Sequence, residues 1–215
     1  MEFKPSGNPE IRKASVDAAE VIRMQDLKSD MKDLHIEHLE EQHGIDHLTG
    51  VHTRKFFEAK LAQAFESIGR QGEELRHGAK AITEASLIFI DLDNFKTVND
   101  TLGHAQGDEV LKRAAELLRS TLREEDVLGR YGGDEFVVLL LNANEESATV
   151  IAEKLRGALD NDPELKELRV TGSLGVCSSS ASGAVSSEAL INNADTAMYA
   201  AKNGGQNRVA VCPNT

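Results

Sequence analysis

Two pairs of acidic residues lie far apart in the sequence, each where a strand is expected to end or to turn. Asp91 and Asp93 follow the apolar run 85–90, and Asp134 and Glu135 follow a pair of glycines. If the two strands are neighbours in one sheet, the four carboxyl groups meet. Carboxylates suit Mg²⁺ or Mn²⁺, which also bind substrate phosphates, and two such ions can clamp an in-line phosphoryl displacement. The competing interpretation is that these acids are solvated turn residues.

The charge of the chain limits the kind of partner it can bind. Its 215 residues carry 36 acidic and 24 basic side chains, which gives a formal net charge of −12. Binding to a nucleic-acid backbone depends on clustered Lys and Arg, so the composition argues against nucleic acid as a partner. An acidic protein that handles nucleotide phosphates needs divalent cations to supply much of the positive charge.

A long amphipathic helix is predicted near the N-terminus. Residues 11–42 contain no Pro or Gly, and apolar residues recur there at intervals of three and four, as in a helix with one buried stripe. Gly44 is a suitable helix stop. The sequence therefore divides into an N-terminal coiled-coil-like segment, residues 1–45, and a globular domain, residues 46–215.

The globular part alternates strands with helices. Apolar runs predict strands over 85–90, 127–131, 135–141, 169–177 and 207–211. Helical periodicity predicts helices over 53–68, 107–122, 145–159 and 187–202, with a loop over 69–83. The second and third strands form a hairpin, and its two glycines are expected to provide positive φ angles. This order favours an α/β fold with a mixed, mainly antiparallel sheet of ferredoxin-like type, flanked by helices, over a doubly wound Rossmann sheet.

Several features set limits on location and metal binding. No apolar run approaches the roughly 20 residues that cross a bilayer, and no signal-peptide core follows the N-terminus, so a cytoplasmic protein without a membrane segment is expected. Cys177 and Cys212 are too few for a disulfide framework and are expected to be reduced and without a role. His35, His38, His43 and His47 could bind a zinc ion, because histidines at helical spacing can share a face, but a solvated helix face is preferred, and His47 belongs instead to a motif described below.

The residues around the second acidic pair are more specific than the acids alone. Residues 130–136 read Arg-Tyr-Gly-Gly-Asp-Glu-Phe and resemble the signature of the GGDEF family of diguanylate cyclases at all five core positions. Other segments resemble the family's motifs in the same order, namely 46–50 with Arg54, 91–96 with 99–100, 103–108, 173–176 and 194–202. The resemblance covers residues 46 to about 210. It implies a fold related to nucleotidyl-cyclase and polymerase palm domains, and the condensation of two GTP into cyclic di-GMP with release of pyrophosphate.

The resemblance also implies the catalytic residues. Two metal ions per active site, Mg²⁺ or Mn²⁺, would be held by Asp91, the backbone carbonyl of Leu92, Asp134 and Glu135. Asp134 or Glu135 would assist removal of the ribose 3′-hydroxyl proton, which a bound cation makes more acidic. The choice between these two stays open. Lys96 is grouped with them as a catalytic residue.

Guanine recognition is implied for one amide and one carboxylate. The resemblance makes Asn99 and Asp108 the residues that read guanine, and a carboxylate can accept the donors of that base while adenine lacks the same pattern. Without the motif, Asn99 would be interpreted as a turn residue and Asp108 as a helix cap.

The remaining substrate contacts are implied around the phosphates. They are Phe95, Lys96, His104, Gly132, Gly133 and Lys202. The lysines supply point charges to an acidic protein, and the glycines allow the backbone to approach the triphosphate closely. One departure is that the family commonly carries a basic residue where this chain has Gln206. Arg208 follows two positions later, so a phosphate contact could be weakened or rerouted.

A second ligand site is suggested by an Arg-x-x-Asp sequence before the hairpin. Arg123 and Asp126 stand in the register of the family's product-inhibition site. Arginine can form paired hydrogen bonds to phosphate and guanine, and an aspartate can accept guanine donors. The alternative is an ordinary salt bridge at a helix end.

The implied reaction needs two copies of the domain, because each active site would hold one GTP. A homodimer through a coiled coil over residues 11–43 is therefore expected, although Gln25 and His38 interrupt its heptads. Two other functions remain open. The first is a catalytically silent GGDEF module that binds cyclic di-GMP or GTP as a receptor or scaffold. The second is another nucleotidyl cyclase or a polymerase palm, which Asn99 and Asp108 disfavour.

Overall fold

The computed structural model describes residues 44–69 and 82–213. The helix predicted over 11–42, with its dimer role, lies outside these residues, as does most of the predicted loop 69–83. The described strands are β1 (His52–Thr53), β2 (Ala85–Asp93), β3 (Val127–Arg130), β4 (Glu135–Leu141), β5 (Thr171–Ser178) and β6 (Arg208–Val211). The described helices are α1 (Arg54–Gly69), α2 (Phe95–Leu102), α3 (His104–Thr121), α4 (Glu145–Asn161), α5 (Pro163–Glu167) and α6 (Ser187–Asn203).

The strands form one mixed sheet in the order β1-β3-β4-β2-β5-β6. The pairs β2–β4, β2–β5 and β3–β4 are antiparallel, whereas β1–β3 and β5–β6 are parallel. The prediction of a mixed, mainly antiparallel sheet flanked by helices is confirmed. The N-terminal helix that was part of the same prediction lies outside the described residues.

The central strand β2 is buried along all nine residues, because helices cover both faces of the sheet. Leu87 and Phe89 pack with α1 and α6 on one face. Ile88 and Ile90 pack with α3 and α4 on the other. This alternation is the period of two expected of a strand. It explains why an uninterrupted apolar run, rather than an alternating one, encodes β2.

One glycine shows how closely a helix lies on the sheet. A Cβ atom at Gly175 of β5 would stand 2.1 Å from the carbonyl oxygen of Ala194 and 2.2 Å from the nitrogen of Met198. No larger residue fits there without moving the backbone of α6. This contact fixes the helix whose C-terminal end carries Lys202.

Three short elements were not predicted from the sequence: β1, α2 and α5. Helix α2 begins after Asn94, a residue type common at helix starts, but here Asn94 has φ 63° and makes no side-chain capping bond. Helix α5 does have one. Asp162 accepts hydrogen bonds from the backbone N–H groups of Glu164 and Leu165, and Pro163 occupies the first turn, as helix starts prefer.

The expectation that both cysteines are reduced is wrong. Strands β5 and β6 are parallel, with Val176 opposite Val211, so the next residue of each strand is a cysteine. Cys177 and Cys212 form a disulfide with their Cα atoms 5.4 Å apart. Two cysteines are too few for a framework but enough for one bridge when strand register aligns them. The described helices include none with the length and apolar character needed to span a membrane.

Candidate active site

The two acidic pairs predicted from the sequence meet in the centre of the sheet. Asp91 at the end of β2 stands opposite Glu135 on β4 and opposite Ser173 on β5. The backbone N–H of Leu92 donates to the carbonyl oxygen of Asp134 at 3.2 Å, which ties the hairpin turn to the end of β2. Asp91, Leu92, Asp134 and Glu135 therefore form one group, as expected.

The hairpin turn is held by residues that the sequence interpretation gave no structural role. The guanidinium of Arg130 donates to the carbonyl oxygen of Gly133 at 2.8 Å and lies 3.2 Å from the carboxylate of Asp46. Asp46 in turn accepts from the backbone N–H of Thr49 at 2.8 Å. The Asp46–Arg130 pair thus connects the start of the domain with the turn. The presence of both residues in the motifs was the only signal in the sequence.

The glycines of the turn do not provide the positive φ angles that the sequence predicted, and the predicted approach of their backbone to the triphosphate stays a prediction. Neither Gly132 nor Gly133 is among the residues with positive φ in the described chain. Gly132 instead provides space, because a Cβ atom there would stand 2.3 Å from Oε2 of Glu135. A Cβ at Gly133 would have no heavy atom within 4 Å, so this glycine leaves the outer side of the turn open.

The carboxylates repel one another, and one lysine partly compensates. Nζ of Lys202 lies 2.6 Å from Oδ1 of Asp91. Burial raises the pKa of Asp91, the hydrogen bond from Lys202 opposes that effect, and repulsion from Asp134 and Asp93 adds to it. Burial is the largest single effect on Lys202 and lowers its pKa, but the hydrogen bond to Asp91 and the attraction of Asp91, Asp134 and Asp93 together outweigh burial, so the net pKa is raised.

Among the described residues, no lysine or arginine forms an ion pair with the side chain of Glu135. Burial raises its pKa, and repulsion from Asp91, Asp134 and Asp195 raises it further, while Lys202 gives a smaller opposing effect. A site with several acids and one lysine has an excess of negative charge that a divalent cation can neutralise.

The donor set fits Mg²⁺ or Mn²⁺ bound together with a substrate. In the part of the chain that the structure describes, no three His, Cys, Asp or Glu side chains form a ready cluster for a metal ion. Magnesium, however, commonly takes only one or two protein carboxylates and completes its shell with water and phosphate oxygens. Asp91 and the Asp134–Glu135 pair meet that requirement.

Asp93 differs from Asp91 although both belong to the first acidic pair. It is fully buried and accepts hydrogen bonds from the hydroxyls of Thr171 and Ser173, each at 2.7 Å. The backbone N–H of Asn207 donates to it at 3.0 Å. Both oxygens of Asp93 therefore have protein donors, and its role is structural.

The residues implied for guanine recognition come together across α2 and α3. Oδ1 of Asn99 lies 2.0 Å from the position of a Cβ at Gly107, so Asn99 covers a glycine adjacent to the exposed Asp108. Phe95 is buried in the core beneath these helices. It therefore packs in the core on the inner side of α2.

The other implied substrate residues lie on the same two helices and on α6. Lys96 and His104 are exposed, and α2 begins two residues after the end of β2. Gln206 has φ 62°, and its carbonyl oxygen accepts from Nε of Arg208 at 3.2 Å.

Arg123 and Asp126 line a second cavity of about 220 Å³ together with His52, Arg119 and Leu128. The backbone N–H of Arg123 donates to Asp126 at 3.0 Å, whereas its guanidinium lies 4.0 Å from Glu125. Burial raises the pKa of Asp126. The cavity lies before the start of β3, at the opposite end of that strand from the hairpin turn.

Comparison with known proteins places these features in a family. The family described as "Diguanylate cyclase, GGDEF domain" matches residues 43–208. Diguanylate cyclase A of Treponema denticola is 34% identical over 172 residues, which cover 79% of this chain and 44% of that protein. The probable diguanylate cyclase DgcE of Escherichia coli is 40% identical over 169 residues, 77% of this chain and 14% of that protein. The chain thus spans less than half the length of these two relatives.

A solved structure agrees in fold. The coiled coil and GGDEF domain of DgcB from Caulobacter crescentus, in complex with c-di-GMP, superimposes with a TM-score of 0.69 at 26% identity. The match covers 95% of this chain and 100% of that one.

Proposed function

The chain belongs to the GGDEF-domain family of diguanylate cyclases, and from this premise we propose that it condenses two GTP into cyclic di-GMP and two pyrophosphates. The observation that carries the proposal is the row of Glu135 and Asp91 on adjacent strands, with Lys202 bound to Asp91. Acids that repel one another beside a single lysine are suited to binding a cation-bound triphosphate.

In this mechanism Asp91, the carbonyl of Leu92, Asp134 and Glu135 would hold two divalent cations per site. Bound there, the cations would supply positive charge against the triphosphate and would make the attacking 3′-hydroxyl more acidic. Glu135 or Asp134 accepts the hydroxyl proton. Lys202, which is bound to Asp91, would add a positive charge next to the phosphates.

Asn99 and Asp108 select guanine, with Phe95 as the buried support beneath them. The exposed Lys96 and His104 contact the nucleotide from α2 and α3. This set gives the domain a preference for GTP over ATP, because an aspartate can accept the donors of guanine but finds no matching donors on adenine.

The reaction needs two domains that face each other, so the active form is a homodimer. The segment 11–43 is the proposed coiled coil that pairs them. The solved relative with a named coiled coil and GGDEF domain supports this arrangement. Product feedback would act through Arg123 and Asp126 at the second cavity, since a guanidinium and a carboxylate suit the phosphates and guanines of cyclic di-GMP.

The deciding experiment is incubation with GTP and Mg²⁺, followed by chromatography for cyclic di-GMP and a pyrophosphate assay. Wild type should form both products, and Asp134→Ala should form neither. Glu167→Gln, an exposed acid on α5, is the matched control and should remain active.

Two other outcomes of this experiment would support the other functions that the sequence left open. Binding of cyclic di-GMP without turnover would support the receptor or scaffold, and turnover of ATP in preference to GTP would support another cyclase. Equal product from wild type and Asp134→Ala would overturn the enzymatic proposal.

A further inference from the structure

Tyr131 lies between strand β3 and the two glycines of the hairpin turn. Its backbone N–H donates to the carbonyl oxygen of Glu135 at 2.8 Å, so a shift of Tyr131 would move the backbone of an acid of the candidate site. Its ring packs edge-to-face against Phe89 of β2, with 5.1 Å between the ring centroids. Packing on the sheet therefore restrains the ring but not its hydroxyl.

Polar contacts from α1 hold the hydroxyl end of this ring. The hydroxyl of Tyr131 donates to Oε1 of Glu58 at 3.0 Å. The same oxygen accepts from Nε of Arg54 at 2.8 Å. The guanidinium carbon of Arg54 lies 4.2 Å from the centre of the Tyr131 ring, which is a cation–π distance. Glu58 thus binds both groups through one oxygen atom and keeps the guanidinium on the face of the ring.

A cavity borders this cluster. Its volume is about 270 Å³, and Arg54, Glu58 and Tyr131 line it together with residues 187–192 at the start of α6. Close packing therefore does not surround the ring of Tyr131. The hydrogen bond to Glu58 restrains the ring where packing is missing.

The Arg54–Glu58 pair contributes more to position than to stability. The two side chains are 58% and 41% exposed, and exposed pairs of this spacing contribute little to the free energy of unfolding. The hydrogen bond to Glu58 is the main cause that raises the pKa of Arg54, and attraction from Glu135 contributes as well. The guanidinium of Arg54 is therefore within electrostatic range of Glu135.

We propose that Glu58 is a positioning residue for the acids of the hairpin turn. Through Tyr131 it fixes the start of the turn, and through Arg54 it holds a positive charge close to Glu135. The inference rests on the proposed function, because it concerns the acids that would hold the cations. Glu58 lies outside the motifs by which the chain resembles the family, so the contacts of the folded chain assign this role.

Removal of Glu58 should loosen the turn without unfolding it. The Asp46–Arg130 pair and the hydrogen bond from Arg130 to Gly133 restrain the same turn independently. We therefore expect the melting temperature of Glu58→Ala to stay within about 2 °C of wild type.

The first test measures amide hydrogen exchange in the protein without nucleotide. The backbone N–H groups of Tyr131 and Gly132 both donate to the carbonyl of Glu135, so their exchange reports how firmly the turn is held. Glu58→Ala and Tyr131→Phe should each speed this exchange roughly tenfold, the size of one lost hydrogen bond. Glu58→Gln keeps an oxygen acceptor and should change less.

Two further variants control this measurement. Glu116→Ala removes an exposed contact with Arg113 on α3 and should match wild type. The double variant Glu58→Ala/Tyr131→Phe should exchange no faster than Glu58→Ala alone, because both substitutions remove the same hydrogen bond.

The second test measures cyclic di-GMP formation over a range of GTP and Mg²⁺ concentrations. Glu58→Ala should lower kcat roughly tenfold, since small misplacements of reacting groups are costly. It should also raise the Mg²⁺ concentration that gives half the maximal rate. At saturating Mg²⁺ the KM for GTP should stay within about twofold, because the guanine contacts are expected on α2 and α3. A residue with only a structural role would instead lower kcat and the melting temperature together.

Three results would overturn the inference. The first is unchanged exchange of the Tyr131 and Gly132 amides in Glu58→Ala and Tyr131→Phe. The second is a double variant whose effect is the sum of the two single effects, and the third is faster exchange with a wild-type kcat. The proposed function is judged separately, because it fails if wild type makes no cyclic di-GMP, whereas the exchange data still decide whether Glu58 holds the turn.

Discussion

Asp91 and Asp93 lie two residues apart on the same face of the same strand, but their surroundings differ. Both are buried, with relative exposures of 7% and 0%. Asp93 accepts two hydroxyl hydrogen bonds and one backbone hydrogen bond. Asp91 has Lys202 and otherwise faces other acids, whose repulsion contributes to its raised pKa.

The difference shows that burial alone does not distinguish a structural carboxylate from a functional one. What distinguishes them is whether the protein itself provides the donors. A buried carboxylate with its own donors stabilises the fold, since leaving those donors without a partner costs free energy. A carboxylate placed among other acids gains little for stability and is arranged for a ligand.

The largest expected effect is on activity. Asp91→Asn should reduce cyclic di-GMP formation by on the order of 10²–10³ or more, because it removes a charge that acts on the bound triphosphate. Its free energy of unfolding should stay within about 1 kcal/mol of wild type, since repulsion among the acids falls as the contact with Lys202 is lost. The measurements are pyrophosphate release and urea unfolding. A stable and fully active Asp91→Asn variant would show that the reaction does not need the charge of Asp91.

Asp93→Asn should give the reverse pattern. The amide cannot accept at both positions, so at least one of Thr171, Ser173 and Asn207 loses its acceptor, and stability should fall by about 1–3 kcal/mol. Urea unfolding is compared with Glu167→Gln, which should match wild type. An unchanged urea midpoint for Asp93→Asn would contradict the structural role of Asp93 and the distinction drawn between Asp93 and Asp91.

Substitutions at Asn207, in the turn between α6 and β6, separate the contribution of its side-chain hydrogen bonds from the cost of its left-handed backbone. Asn207→Ala removes the side-chain bonds to Arg156 and Asp160 and places alanine in left-handed backbone, so about 1–2 kcal/mol should be lost. Asn207→Gly removes the same bonds without the backbone cost and should lose less. If both variants unfold at the same urea concentration, the left-handed backbone of residue 207 costs alanine nothing, and the loss of stability comes from the side-chain bonds.

The smallest expected effect is at Asp162, a third buried aspartate of the Asp93 type. Burial alone would raise its pKa, but hydrogen bonds from Arg113 and from the N–H groups of Leu165 and Glu164 outweigh burial and lower it. A lowered pKa in the folded state means that the stabilisation is present above the unfolded value of about 3.9. It is lost as the pH falls through the folded value.

Asp162→Asn should therefore cost about 1 kcal/mol at pH 7, because it removes the charge that binds Arg113, whereas an amide oxygen can still cap the helix. Its difference from wild type should shrink progressively below about pH 4, the range in which the wild-type carboxylate gains its proton. Thermal unfolding at a series of pH values measures both. A difference that stays constant down to pH 2 would mean that the ionised form of Asp162 is not the stabilising one.

Local signals in the sequence predicted much of this fold. The apolar run before Asp91, the glycine-containing hairpin and the four helices predicted within the described residues all form within a few residues of the expected bounds, because side-chain periodicity reflects which face of an element is buried. Short elements escaped prediction for a local reason. Asn94 gives α2 no capping bond, and β1 has only two residues.

The sequence named residues for the candidate site but did not predict the contacts between them. The motifs name Asp91, Asp134, Glu135 and Lys202, yet nothing in the linear order says that Lys202 reaches Asp91 across 111 residues. The linear order also does not show that both oxygens of Asp93 accept hydrogen bonds from β5 and from the turn before β6.

What the sequence by itself determined was the set of elements, the chemistry of the acids and the family. Only the tertiary structure decided the strand order, which places Asp91 between Glu135 and Ser173, joins Cys177 to Cys212 and brings Arg208 onto the same row. The physical reason is that periodicity is local, whereas strand register is set by packing between residues far apart in the chain. A shift of one residue would have exchanged the faces of the sheet and separated these groups.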